Sequence, residues 1–317
     1  MTSRPGRTTC SDRCARFALR AAMLMALPAC TDSAGATLPA TILQPASSLK
    51  IMPWVECNLP KHLDNTIAGL RTWGTMFDTA IVSTTPGNAG LLERVKAAVP
   101  GVRIIPGMKT FTILEDFDSA EDWRQVRDEI VAAMNAVGEK AVIFENEWAI
   151  RGIWGDRDFE PQDLDLEQLE AAMRAADFPP GVTYYWYPSV PSRDKRIQDL
   201  AESIVSVAQK VLGNVVLVDN ASVNGPGAER SGSNIRAGEA IASLADGKIA
   251  AILYCYGPGS SWWQDEQLPD AIKLAHETHR LNTLILYPGQ DRWAEAALTI
   301  TGILERSDLG LSRRGDP

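Results

Sequence analysis

Histidine is rare in this chain of 317 residues, which contains only three, at positions 62, 276 and 279. A metal hydrolase built on a barrel needs several histidines at its strand ends. The rarity argues against that class, and we predict neither a metal nor a cofactor. The chain also lacks G-x-S-x-G, P-loop and C-x-x-C motifs, so serine hydrolases, P-loop enzymes and thiol redox enzymes are not favoured.

Long hydrophobic runs are absent too. The apolar run that begins at Ala21 is far shorter than the roughly 20 residues of a membrane-spanning helix. It follows residues 1–20, which carry five Arg and a single Asp. A basic region followed by a short apolar stretch is the layout of a secretory signal, so we predict a signal peptide over residues 1–29.

The predicted signal ends in Leu27-Pro28-Ala29-Cys30, which resembles the bacterial lipobox. The resemblance implies cleavage before Cys30 and lipidation of that residue, an anchor strong enough to hold a protein on a membrane. The alternative is an ordinary cleaved signal with an incidental Cys. Residues 30–48, small, polar and proline-containing, are then a lipidated Cys and flexible tether, and the protein belongs to the cell envelope, in the periplasm or on the outer membrane.

Positive charge is also in short supply, because 40 acidic residues outnumber 31 basic ones and give a net charge of −9. Cleavage of the arginine-rich signal would make the mature chain more acidic still. Such a balance argues against nucleic acid or anionic lipid as the main partner. We therefore expect contact with the membrane through the lipid anchor only.

The rest of the chain alternates short apolar segments with amphipathic helical patterns, which favours an α/β protein. The predicted strands are 50–57, 79–84, 102–107, 141–147, 182–187, 214–220, 249–256 and 283–288. The helical patterns are 90–99, 122–137, 166–176, 197–212, 268–281 and 293–306.

Eight strands, each followed by a helix, predict a single (β/α)8 barrel over residues 49–310, with a C-terminal tail over 311–317. The alternative is an open doubly wound sheet. That fold would need a glycine-rich turn after the first strand, where this chain has Glu56-Cys57-Asn58.

The end of the fourth strand carries the strongest catalytic signal, the segment Glu145-Asn146-Glu147. Side chains alternate along a strand, so the two glutamates share a face about 6.5–7 Å apart. Two carboxyl groups this close should raise the pKa of at least one of them, as a general acid requires. Alternatively, one glutamate pairs with a basic residue such as Arg151 or Lys109 and only shapes the rim.

This segment resembles two groups of barrel glycoside hydrolases. In the large retaining clan the fourth strand ends in Asn-Glu, matched by Asn146-Glu147, and the resemblance makes Glu147 the acid/base; the chain lacks that clan's glutamate at the end of strand seven. In chitinase-like families alternating acids end in the catalytic Glu, matched by Glu145-x-Glu147, and the substrate's acetamido group is the nucleophile. The full acidic run of those families is missing.

A second carboxylate is needed if the substrate does not supply the nucleophile, and the spacing between the two then sets retention or inversion. The candidates are Asp219, Glu56 and Asp291, in that order. Asp219 leads because it ends an otherwise apolar strand, NVVLV.

Amides and aromatic residues also collect at the predicted strand ends, and this combination suits a sugar ring. The predicted substrate-binding residues are Glu56, Lys109, Asn146, Trp148, Trp186, Tyr187, Asn220, Tyr254, Tyr256, Trp262, Trp263, Asp291 and Trp293. A Trp is more often a core residue than a ligand platform. The pair Trp262-Trp263, however, lies in a Gly/Ser loop without apolar periodicity, which is typical of an exposed stacking surface.

The sequence thus predicts a glycoside hydrolase that cleaves an oligo- or polysaccharide, with Glu147 as proton donor, Glu145 as its tuning or substrate-orienting partner, and Asp219 as the second carboxylate. One rival is a non-catalytic carbohydrate-binding barrel of an exopolysaccharide or envelope assembly. The other is an aldolase- or lyase-type barrel in which Lys109 forms a Schiff base.

Overall fold

The structure is a computed structural model that describes residues 49–110, 118–145, 164–187, 195–219, 249–254, 267–273, 276, 281–288 and 293–311. Residues Ser47–Pro317 belong to one compact unit. The predicted signal peptide, the lipidated Cys30 and most of the tether and tail lie outside the described residues, so those predictions remain predictions.

Eight parallel strands form a closed barrel in which each strand pairs with the next along the chain and the last pairs with the first. This confirms the predicted (β/α)8 fold. The strands are β1 (Lys50–Glu56), β2 (Thr79–Thr84), β3 (Arg103–Lys109), β4 (Ala141–Glu145), β5 (Thr183–Tyr187), β6 (Val215–Asp219), β7 (Ile249–Tyr254) and β8 (Thr283–Tyr287).

The described helices surround the barrel, since their buried faces are apolar and pack against the strands. They are α1 (Leu63–Trp73), α2 (Ala89–Ala98), α3 (Ala120–Val137), α4 (Leu166–Ala175), α5 (Lys195–Leu212), α6 (Gln267–Lys273) and α7 (Trp293–Glu305).

Local signals explain where helix α3 begins and ends. The Ser119 side chain accepts a hydrogen bond from the Asp122 backbone N–H and so caps the first turn. Gly138 ends the helix with φ 69°, in the left-handed region that favours glycine.

The apolar residues form two separate cores, one on each side of the strands. Because side chains alternate along a strand, Val55 of β1 points outward to the helices, whereas Met52 and Trp54 fill the barrel interior. The same alternation places Ile81, Ile105, Ile143 and Ile285 inside.

Helices α1 and α7 pack closely and join the beginning of the barrel to its end. A Cβ atom on Gly69 would lie 3.0 Å from the backbone carbon of Trp293. The Ala294 N–H at the start of α7 donates to Asn65 Oδ1 of α1 at 3.1 Å.

Two further observations concern the described residues alone. None of their helices is long and apolar enough to cross a membrane. Nor do these residues contain a group of three or more His, Cys, Asp or Glu side chains placed to hold a metal ion.

Candidate active site at the barrel mouth

The carboxyl ends of β1, β3 and β8 bring a polar cluster to one side of the barrel mouth. In β1, Glu56 follows the inward-facing Met52 and Trp54 at the same spacing, and in β8 Tyr287 follows the inward-facing Ile285. Lys109 is the last residue of β3. The C-terminal end of a (β/α)8 barrel is where such folds carry their active sites.

The Glu56 carboxylate is the centre of this cluster. Its Oε2 lies 2.8 Å from Lys109 Nζ and accepts a 2.7 Å hydrogen bond from Asn58 Nδ2. Its Oε1 accepts a 2.7 Å hydrogen bond from the Tyr287 hydroxyl. Glu56 is only 5% exposed and Lys109 only 8%, so this is a buried ion pair whose acceptor is hydrogen-bonded on both oxygens, as burial of a charge requires.

Beneath the polar cluster, Trp54 closes the barrel interior. Its indole N–H donates to Ser83 Oγ at 2.6 Å, and its ring meets the ring of Tyr287 edge-on at 5.3 Å between centroids. Gly107 of β3 makes room for this arrangement, because a Cβ there would lie 2.1 Å from Ser83 Oγ and 2.7 Å from Ile143 Cγ2. The polar cluster therefore rests on a dry aromatic floor.

Backbone contacts hold the end of β1 in place. Thr66 of α1 donates its hydroxyl proton to the Glu56 carbonyl at 2.9 Å, and Thr84 of β2 donates to the Cys57 carbonyl at 3.0 Å. The Cys57 N–H donates to the Ser83 carbonyl at 2.8 Å. Burial raises the pKa of the Cys57 thiol, which makes this side chain a core residue and a poor nucleophile.

One acceptor of the cluster is left over. Asn58 Oδ1 is buried and accepts no hydrogen bond from the part of the chain that is described. A buried acceptor without a donor destabilises a structure by about 1–3 kcal/mol. The cluster is therefore suited to a ligand or water that offers a hydroxyl proton.

The predicted acidic segment of strand four begins next to Lys109. Glu145 is the last residue of β4, in register with Lys109 on one side and Tyr187 on the other. Only the backbones of Glu145 and Tyr187 are described. Asn146, Glu147 and Trp148 lie outside the described residues, so the role of the Glu145-x-Glu147 pair stays a prediction.

The remaining predicted site residues divide in the same way. Asp219 is the last residue of β6, in register with Ala251, and Tyr254 is the last of β7, in register with Tyr287; the description of both is limited to the backbone. Outside the described residues lie Asn220, Tyr256, Trp262, Trp263 and Asp291.

The structure corrects the prediction for Trp186. This residue is fully buried and belongs to the core between barrel and helices. Its ring stacks on Phe144 of β4 at 4.7 Å, and Phe144 stacks in turn on Trp123 of α3 at 6.0 Å. Trp186 has the opposite parity to the inward-facing Tyr185, and strand register, which decided this, is not visible in the sequence.

Trp293 is a second correction. Its side chain is 2% exposed, and its ring lies 6.0 Å from that of Tyr287. It supports the mouth from the core and presents no face to a substrate, because the close approach of α1 and α7 buries it.

Sequence reasoning missed Tyr287, Trp54 and Ser83 as site residues. A signal for Tyr287 existed, since it lies two residues after Ile285 at the end of a predicted strand. Its partner Glu56, however, is 231 positions away in the chain, and only closure of the barrel brings the two together. Lys109 pairs with Glu56, a partner that the sequence did not indicate.

Comparison with known proteins supports the fold. A family 18 chitinase from Pseudoalteromonas aurantia superimposes with a TM-score of 0.51 at 9% identity, covering 81% of this chain and 100% of the chitinase chain. The catalytic domain of a mannanase from Streptomyces sp. SirexAA-E gives 0.47 at 15% identity, over 84% and 89% of the two chains. Orotidine 5'-phosphate decarboxylase from Pyrococcus horikoshii gives 0.43 at 15%, over 81% and 100%.

No protein-family profile matches the sequence, and a search of curated proteins finds no match either. At 9% identity the likeness to the chitinase shows a shared fold, the TIM barrel, and leaves the activity open.

Proposed function

We propose that this protein is a glycoside hydrolase that cleaves O-glycosidic bonds of an oligo- or polysaccharide at the mouth of its barrel. The observation that carries the proposal is the end of β4. There Glu145 stands in register with Lys109, beside a built cluster of carboxylate, amide and hydroxyl groups. The chain then continues as Asn146-Glu147, the pattern on which the catalytic prediction rests.

The neighbourhood of Lys109 supports a division of labour between the two glutamates. A cation beside Glu145 favours its ionised form, and an ionised Glu145 disfavours ionisation of a second carboxyl close by. Glu147 is then the group that keeps its proton and delivers it to the leaving oxygen. Asp219 is the proposed second carboxylate, and Glu56 holds Lys109 in position.

Hydrolysis of defined oligosaccharides tests the proposal. Chito-oligosaccharides and manno-oligosaccharides are suitable first substrates, with products identified by mass spectrometry. Glu147→Gln should lower turnover by a factor of about 10²–10⁴, since it removes a general acid, and should leave sugar binding intact. The matched control is Glu93→Gln on the exposed face of α2, which should leave turnover unchanged.

The same experiment separates the rival function. A carbohydrate-binding barrel would bind these sugars with the wild-type chain and release no product, so that Glu147→Gln would have no turnover to remove. Equal turnover of wild type and Glu147→Gln would contradict the role of Glu147.

We also propose that the protein is anchored in the cell envelope through a lipid on Cys30, on the strength of the lipobox-like segment. Cys30→Ser should move the protein from the membrane fraction to the soluble fraction of cell extracts. Retention of this variant in the membrane fraction would contradict the proposed anchor.

A further inference from the structure

The buried amine of Lys109 suits a second kind of chemistry that needs no glycosidic bond. We propose that Lys109 is a covalent carbonyl-binding site, whose Nζ forms an imine with the aldehyde group of a small neutral hydroxyaldehyde while Glu56 carries the proton. The proposal is independent of the glycoside hydrolase function and rests on described residues only.

Burial is the first support. Lys109 is 8% exposed and lies above the dry floor of Trp54, which is itself 3% exposed. Lysines that form imines work as nucleophiles because their amines are removed from bulk water. Lys61, by contrast, is exposed on the short turn before α1.

The second support is a base within reach. Glu56 Oε2 lies 2.8 Å from Lys109 Nζ, a distance that permits direct proton transfer. The Tyr287 hydroxyl holds the other carboxylate oxygen at 2.7 Å, and Asn58 Nδ2 binds Oε2 at 2.7 Å. These two donors fix the orientation of the carboxylate while the proton moves.

The reaction balances without any further reagent. Glu56 takes one proton from the Lys109 ammonium, and the amine nitrogen then bonds to the aldehyde carbon, whose C=O π pair moves onto oxygen. A second proton moves from nitrogen to that oxygen and gives a carbinolamine. Glu56 returns its proton to the hydroxyl group, water leaves, and the nitrogen lone pair forms the C=N bond. One ammonium and one aldehyde thus become one protonated imine and one water.

Charge does not oppose this product. The protonated imine carries the same positive charge as the ammonium and stands beside the same Glu56 carboxylate. Breaking a buried ion pair strongly destabilises a protein, but here the pair persists before and after the reaction.

The same accounting indicates the class of ligand. Lys109 and Glu56 cancel in charge, and Asn58 and Tyr287 are neutral, so the cluster has no surplus charge to attract an ionic ligand. Asn58 Oδ1 is a buried acceptor without a donor, which a hydroxyl group next to the aldehyde could supply. Glycolaldehyde is the smallest compound with both groups.

Reductive trapping tests the inference. The full chain is incubated with glycolaldehyde near neutral pH and quenched with sodium borohydride, and the modified lysines are located by peptide mass spectrometry. Lys109 should be labelled at least about tenfold faster than Lys61 in the same molecule, since positioned acid–base groups contribute factors of about 10² or more. Labelling of Lys109 no faster than that of Lys61 would overturn the proposal.

A variant tests the proton carrier. Glu56→Gln should slow trapping at Lys109 at least about tenfold, with circular dichroism used to confirm that the variant is folded. Unchanged labelling in folded Glu56→Gln would show that Glu56 does not carry the proton. If Glu56→Gln does not fold, the comparison of Lys109 with Lys61 in the wild type decides alone. Failure of the glycosidase assays would leave these results untouched.

Discussion

The buried ion pair between Lys109 and Glu56 makes a quantitative prediction about stability. Two opposite charges 2.8 Å apart attract each other by about 6 kcal/mol at an effective dielectric constant of about 20. Desolvation offsets much of this attraction, yet removal of one partner leaves the other charge buried and uncompensated. Losses of about 3–5 kcal/mol are typical of such broken pairs.

Lys109→Met should therefore lower the free energy of unfolding by about 3–5 kcal/mol, out of a total of about 5–15 kcal/mol for a protein. Glu56→Gln should act similarly, since it strands the ammonium. Urea unfolding followed by circular dichroism measures both losses. Lys61→Met, which removes an exposed lysine, is the matched control and should change stability by less than about 0.5 kcal/mol.

The double variant is the decisive case. With both charges gone no ion is stranded, so Glu56→Gln with Lys109→Met should be more stable than the sum of the single losses implies, by about 2–3 kcal/mol. Strictly additive losses would refute the reasoning, because they would mean that the two charges do not stabilise each other. So would a Lys109→Met variant as stable as Lys61→Met.

Two further predictions concern the barrel wall and its N-terminal rim. Gly107→Ala should destabilise the fold by about 1–3 kcal/mol, since the new Cβ would meet Ser83 Oγ at 2.1 Å, whereas Gly101→Ala, with nothing within 4 Å of its Cβ, should not; thermal unfolding of the two variants provides the comparison, and equal melting temperatures would contradict it. The hydrogen bonds from Arg103 lower the pKa of Glu139, so the pair stabilises the fold above about pH 4.5 and ceases to do so as pH falls through the lowered pKa. Glu139→Gln should therefore be less stable than wild type by at most about 1 kcal/mol at pH 7, since Arg103 is half exposed, with a smaller difference in acid; an equal difference at pH 3 and pH 7 would count against this assignment.

Most strand positions could be predicted from the sequence because they depend on local patterns. Strand β2 has the bounds predicted for it, and the others agree within a few residues. Strand β3 runs two residues beyond its apolar segment and takes in Lys109, because pairing with β4 continues to Glu145.

Helix α1 shows the limit of such patterns. It contains Asn65, Thr66 and Gly69, none of which favours a helix. Its stability comes from tertiary contacts. Gly69 lets Trp293 approach, Asn65 accepts a hydrogen bond from the start of α7, and Thr66 binds the end of β1.

The sequence by itself determined the alternation of strand and helix, the count of eight strands and hence the closed barrel, because hydrophobic periodicity is a local property of the chain. Only the tertiary structure decided which polar side chains meet. Strand register sends Trp186 to the outer core and Glu56 into the mouth, and closure of the barrel joins Glu56 to Tyr287 across 231 positions. Neither register nor closure is written in a local pattern, since both result from the packing of all eight strands together.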